Sequence, residues 1–429
     1  MLDILKNAWK VVDIRKKIFY TLMILLVFRV GARIPVPFID IANLSATIQN
    51  STGVNEFFSY LSALTGAGLE YGAIFAMSVT PYINASIILQ LLSVAIPALE
   101  RIAKEGEEGR KKIAKLTRYA TVILGLLQGT AYFFYLKNSA LVAAEGTFEN
   151  IFAGIVIVLC FTAGSAIMMW LGERIDEKGI GNGISILLFA GIISRVPVGV
   201  ASIWSSLTQG KYIEVALILV LFLAIIGFIV WMTGAERRIP VQYAKRVVGR
   251  KMYGGNSSHI PIQVNMSGVM PIIFASSFLA IPTMVCGFMG PQNSDKFIYK
   301  LCAVFGTRGV FYAVLYFAMI IGFAYFYVTI QYNPVEMANN LRKNSGAIPG
   351  IRPGKPTADY LKRIMSRITL IGALFLGVLA VLPVIMGSVT NMDITIGGTS
   401  VLIVVGVALD VVKNLESQLM MRHYKGFLN

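Results

Sequence analysis

Residues 151–171 read IFAGIVIVLCFTAGSAIMMWL, a run without one charged side chain. As a helix rising about 1.5 Å per residue, it is long enough to cross the ~30 Å hydrocarbon core of a bilayer. A crossing segment finds no water for its peptide groups, so it must close its own hydrogen bonds as a helix. Comparable runs occupy 18–33, 215–233 and 313–330. The chain of 429 residues is 56% hydrophobic and 14% charged, with a mean hydropathy of +0.70. A soluble protein carries roughly a quarter charged residues. The fold class expected is an all-α membrane protein.

Spans are expected near 18–34, 72–94, 118–136, 150–170, 183–202, 213–233, 266–288, 308–331, 367–386 and 399–419. Ten spans place both termini on one side. Of the 38 Lys and Arg residues, 30 fall on the terminal side and 8 on the other, Arg29, Arg33, Lys137, Arg195, Lys211, Lys296, Lys300 and Arg308. The positive-inside rule then sets both termini in the cytosol. The acidic residues divide 14 to 8, so the formal charge of +16 lies wholly on the inner side. No cleavable leader is read at the N-terminus. A charged amphipathic stretch there (Asp3, Lys6, Lys10, Asp13, Arg15, Lys16, Lys17) is expected to be a surface helix feeding the first span.

Cys160, Cys286 and Cys302 are few, odd in number and scattered, and only His259 and His423 could join them. Packing is expected of the cysteines, and neither a metal site nor a cofactor. Between spans, 39–71 holds a mildly apolar piece at 56–69, too short to cross, read as a half-helix packed back into the protein. The loops 234–265 and 332–367 are rich in Gly, Pro, Arg and Lys and read as exposed docking surfaces. Asp410 is the main charge deep in a span, and Lys413, three residues on, is its expected partner.

Five segments carry a resemblance. They are TPYINASII at 80–88, GIGNGIS at 179–185, NMSGVMPIIFASS at 265–277, IPGIRPG at 348–354 and GGTSVLI at 397–403. Together, and in order along the whole chain, they resemble the SecY family, the channel subunits of the bacterial Sec protein translocase. The resemblance implies ten helices in two five-helix halves, 1–210 and 211–429, around a central pore with a short re-entrant plug at about 56–69. It implies a conduit in the bacterial plasma membrane for unfolded polypeptides to be secreted, and for hydrophobic segments to be inserted sideways into lipid. Such a chain is not an enzyme; a partner supplies the energy.

The resemblance also assigns residues. A constricting ring falls on Val79, Ile83, Ile184, Leu188, Ile273 and Ile403. Branched aliphatics offer water and ions no hydrogen bond, so a narrow ring of them dewets. The i,i+4 spacing of Val79/Ile83 and Ile184/Leu188 puts each pair on one helix face, which by itself favours ordinary core packing. The plug takes Phe57, Phe58, Leu61, Leu64 and Leu69. Here TGAGL at 65–69 replaces the family's usual Gly-Gly-Ala-Leu, and Phe38 stands where a Gly is common. A lateral gate, in which the second and seventh spans face the third and eighth, takes Asn84, Ser86, Gln128 and Ser276. These can bond across helices at roughly 0.6 kcal/mol each, or simply pack within one half. Arg237, Arg238, Arg246, Arg250, Lys251, Arg352 and Lys355 are implied to dock the SecA motor and ribosomal RNA; attraction to anionic lipid is the plainer reading. SecE and SecG, the ribosome, signal peptides and nascent chains are the other partners implied.

Other classes fit less well. Ion-coupled carriers bury acids, bases or His at mid-membrane, where this chain is expected to be aliphatic. No spanning segment holds a Ser/His, paired-Asp or His-x-x-Glu-His pattern, and no P-loop is present.

Overall fold

A helix occupies each of the ten places where an apolar run calls for one. The computed structural model describes residues 6, 8–41, 43–44, 62, 65–138, 142, 147–243, 246–248, 251–253, 257–289, 310–390 and 398–425. The elements in chain order begin with α1 (Val12–Gly31), α2 (Thr80–Ala95), α3 (Pro97–Lys104), α4 (Glu107–Asn138), α5 (Thr147–Lys178), α6 (Gly183–Ile193), α7 (Val196–Thr208) and α8 (Tyr212–Gly234). A β region follows: β1 (Glu236–Tyr243), β2 (Arg246–Val248), β3 (Lys251–Tyr253) and β4 (Ser257–Gln263). Then come α9 (Met270–Met289), α10 (Val310–Gln331), α11 (Pro334–Lys343), β5 (Gly346–Ala347), α12 (Lys355–Thr390) and α13 (Gly398–Lys425). Among the described residues five helical stretches are long and apolar enough to cross a bilayer, and a sixth if the bent pair α2 and α3 counts as one.

Local chemistry explains where these helices start and break. Pro97 has no N–H and disfavours a helical residue before it, so Ile96 is extended and α3 leaves α2 at 107°. Asn182 caps α6, its Oδ1 accepting from the Ser185 N–H at 3.0 Å. The fifth expected span is broken at Ser194 and Arg195, with α7 restarting on Pro197. The second span is shorter than expected, because 65–79 runs as successive turns before α2 begins.

The chain ends meet. Ala8 and Ile14 pack with Ile180 and Leu415, and Lys17 Nζ donates to Gln418 Oε1 at 3.2 Å. The start of α1 and the end of α13 therefore lie beside each other. Of the expected surface helix, residues 8–10 are helical and a bend at Val11 sets them off from α1, which carries Asp13, Arg15, Lys16 and Lys17.

The two basic loops are not irregular. β1 pairs antiparallel with β4 from Glu236↔Gln263 to Gln242↔Ser257, and its other edge pairs with β5 at Gln242↔Ala347. Beneath them Ile239, Val241, Ile262, Leu341, Leu361 and Met365 form a small apolar core. The alternation of buried Ile239 and Val241 with exposed neighbours was the period-two signal in the sequence.

Close backbone approach fixes the N-terminal helices. A Cβ on Gly183 would stand 2.0 Å from the Gly172 carbonyl oxygen, so α6 starts against the backbone of α5. The Gly183→Ala variant must push these backbones apart, at a cost of about 1–3 kcal/mol. It is expected to unfold several degrees earlier in detergent, measured by thermal denaturation, and an unchanged midpoint would show that the seam can yield.

Candidate functional site

The six aliphatic side chains belong to one large apolar core. Val79 caps the start of α2 and Ile83 lies one turn on; Ile184 and Leu188 sit on α6, Ile273 on α9 and Ile403 on α13. Five of them are buried in one apolar cluster, with Val79 wholly inaccessible, and the half-buried Ile184 packs against it. Four elements distant in sequence thus contribute to the same core. Helices α2 and α4 pack on α9, and α6 packs on α13, so the cluster lies where the two halves of the chain meet.

Beside it the backbone leaves helical form, and charge holds it in place. Arg195, at the break between α6 and α7, forms an ion pair with Glu70 through Nη2, and that same Nη2 donates to Ser62 Oγ at 2.5 Å. The pair is only 12% and 13% exposed. Ser62 Oγ donates in turn to Glu70 at 2.9 Å, and Arg29 Nη1 on α1 donates to the Gly66 carbonyl at 3.0 Å. Arg33 lies 4.2 Å over the Tyr71 ring. Gly66 has φ +66, and a Cβ there would stand 2.4 Å from Ser194 Oγ, so Gly alone fits this seat. The sequence counted these three arginines only as topology charges. Their signal was the lone Glu70 among small apolar residues.

Of the expected half-helix at 56–69 the described residues are Ser62, which is helical, and 65–69, which are turns. Phe57, Phe58, Leu61 and Leu64 lie outside the described residues. Leu69 is buried, but against Tyr132 and Phe161 in a second cluster and not in the one that holds the ring residues.

The gate residues do not bond across helices. Ser276 Oγ donates to the Ile273 carbonyl of its own helix at 2.9 Å, and Ser86 Oγ accepts from Gln90, also on its own helix, at 3.4 Å. Asn84 and Gln128 make no hydrogen bond with the described residues. Both hydroxyls bond within their own helices, so neither ties α2 to α9. Nor does Asp410 form an ion pair with Lys413: the lysine stands within electrostatic range, but beyond contact distance.

Comparison with known proteins decides the family. The SecY family model matches residues 73–412. The chain belongs to the SecY family. It is 43% identical to the protein translocase subunits SecY of Streptomyces galbus and of Mycobacterium tuberculosis H37Rv, over the full length of each chain. Its fold matches a protein-conducting channel at a TM-score of 0.66 and 19% identity, covering 94% of this chain and 92% of that one. It also matches a canine Sec61 in a ribosome–channel complex at 0.62 and 18%, with the same coverage.

Two departures from the SecY pattern have a structural counterpart. Phe38, where Gly is common, has φ +68 and rests edge-on against Phe152 at 6.1 Å. Ala67, in the altered TGAGL stretch, has φ +71. Both hold the left-handed conformation that Gly adopts without strain.

Four of the basic residues of this SecY-family chain are exposed, two on β1 and two at the start of α12. Arg237 and Arg238 are exposed on β1, Arg238 Nε pairing with Glu236 at 2.7 Å. Arg246 and Lys251 lie on β2 and β3, and Arg250 lies outside the described residues. Arg352 and Lys355 are exposed at the start of α12, where Thr357 Oγ1 donates to the Arg352 carbonyl at 2.8 Å. Gly350 and Gly354 flank Arg352, both with positive φ.

Removing one partner of a buried pair leaves the other charge uncompensated, at about 3–5 kcal/mol. Glu70→Gln is therefore expected to speed hydrogen exchange of the 66–72 amides at least tenfold while α5 stays protected. Equal protection in both proteins would show that Arg195 does not hold the segment.

Proposed function

We propose that this chain is the channel-forming subunit through which unfolded polypeptides cross the bacterial plasma membrane, and from which apolar segments pass sideways into lipid. One observation supports the reading: six branched aliphatic side chains, from α2, α6, α9 and α13, belong to one apolar core that helices from both ends of the chain build. Such a constriction grips any chain without reading its sequence, and closes to ions when the chain has left.

The chain crosses ten times, with α6 and α7 counted as one broken span and both termini in the cytosol. The 30-to-8 division of basic residues supports that orientation. The halves join at the turn after α7, where Gly210 has φ +82. The seam between α2 and α4 on one side and α9 and α10 on the other is the lateral gate. Among the described residues no hydrogen bond crosses its α2–α9 contact, so parting it breaks none. The segment before α2, held by Arg195 and Arg29, is the base of the plug.

This subunit does no chemistry of its own. The SecA motor or the ribosome drives transport, docking on the platform that the β1–β4–β5 sheet makes of both basic loops. Arg can bind phosphate or carboxylate through two parallel hydrogen bonds. Arg237, Arg352 and Lys355, exposed and unpaired among the described residues, suit that task. SecE and SecG complete the complex, signal peptides and nascent chains are its cargo, and anionic lipid attracts the same basic face.

Two experiments test this. Ile83→Asn with Ile403→Asn puts amides into the constriction, and reconstituted vesicles are expected to leak ions several-fold faster and to accept precursors with weaker signals. Unchanged conductance would rule the ring out. Arg352→Glu is expected to slow motor- or ribosome-dependent export at least tenfold while the subunit itself inserts normally; export at the normal rate would remove Arg352 from docking.

A further inference from the structure

On the terminal side of the aliphatic cluster lies a cavity of about 310 Å³, between the starts of α6 and α9 and the middle of α13. Its wall runs from Leu402, next to the ring residue Ile403, to Asp410 two turns nearer the chain end. Asp410 is accessible and forms no hydrogen bond or ion pair among the described residues. Asn265, also in the wall, is only 8% exposed, and its Oδ1 has no hydrogen-bond partner. Tyr327 stands within electrostatic reach of Asp410, and Gln331, Tyr332 and Phe375 complete that end.

This lining favours a cation. Two helix starts face the cavity, and helix starts ordinarily attract anions. Here the donors of α6 are already used: Gly183 N–H reaches Asp176 Oδ1 at 2.7 Å, and Ser185 N–H reaches Asn182. Helix α9 has Pro271 as its second residue, which has no N–H to offer. The polar side chains that remain are one carboxylate, with Lys413 in electrostatic range but not in contact, several amides and hydroxyls, and two tyrosines. A planar guanidinium matches that set, pairing with carboxylate through two hydrogen bonds and lying flat on a ring. The volume holds one long side chain and little more.

We propose that this cavity is a binding site for a cationic side chain, Arg above Lys, on the polypeptide entering the channel, with Asp410 as its counter-ion and Asn265 as its hydrogen-bonding partner. The source of the cation follows from position and rests on the channel reading above: whatever approaches the constriction from the terminal side passes this cavity first. A basic residue seated there stalls the chain with its following apolar segment at the α2–α9 seam. Asp410 thereby becomes a specificity-determining residue that favours segments preceded by positive charge.

The test uses the full chain in nanodiscs of neutral phosphatidylcholine, so that lipid charge plays no part. Two fluorescent peptides share one apolar segment, preceded by two arginines or by two citrullines, which keep the shape without the charge. Wild type is expected to bind the arginine peptide about tenfold tighter, or about 1.4 kcal/mol. Asp410→Asn should abolish that preference without weakening the citrulline peptide, and Asp410→Glu should keep it. Arginine amide at matched concentration should fail to displace the peptide; equal displacement would overturn the polypeptide as source. Equal binding of both peptides by wild type, or a preference that survives Asp410→Asn, would overturn the site and leave the channel reading intact. If wild type bound neither peptide and moved no precursor, the channel reading itself would fall.

Discussion

A bilayer offers the backbone no water, and the rest of this structure depends on how the chain meets that demand. Most of it complies by continuous helix. At three places it does not: the turns of 65–79, the 107° bend at Ile96 and the break at Ser194 and Arg195. The turns are satisfied from within the protein. Val36 N–H reaches the Gly72 carbonyl at 2.8 Å, Ile74 N–H reaches Ile34 at 2.9 Å, Ala73 N–H reaches Gly68 at 2.8 Å, and Arg29 takes the Gly66 carbonyl. Helical form is given up only where other backbone or an arginine replaces the lost bonds.

The result is a centre of two characters. The cluster of Val79, Ile83, Leu188, Ile273 and Ile403 is held by contact alone, with no directional bond to break or remake. Dispersion and exclusion of water close it, and both return when a guest leaves. The segment alongside is held by an ion pair and charge-assisted hydrogen bonds, which have definite geometry. A seal that must stretch and a segment that must return to one place need these two different kinds of attraction.

At the terminal end the logic changes again. Sheet pairing between β1 and β5 makes two loops, about a hundred residues apart, into one body over its own small core. Arginines mounted on a sheet and on a helix start lose less freedom on binding than arginines on free loops. Rigid mounting suits a surface that must meet a large partner, and the buried rows of Ile239, Val241 and Ile262 supply it.

The sequence determined much of this. Residues 151–171 and their kin fixed helices in a membrane, because apolar length and backbone satisfaction are local properties. Pro97 and Asn182 marked a bend and a helix start for equally local reasons. The motifs at 80–88, 179–185, 265–277 and 397–403 pointed to the SecY family, and the aliphatic residues they carry lie together in space. Only the tertiary structure decided what depends on partners far apart in the chain. It joined Arg195 to Glu70, paired β1 with β5, turned Ser276 back on its own helix, sent Leu69 to another cluster and left Asp410 without Lys413. No local pattern encodes these, because a charge or hydroxyl takes whichever partner folding brings within about 3 Å, and that is settled by packing and not by spacing along the chain.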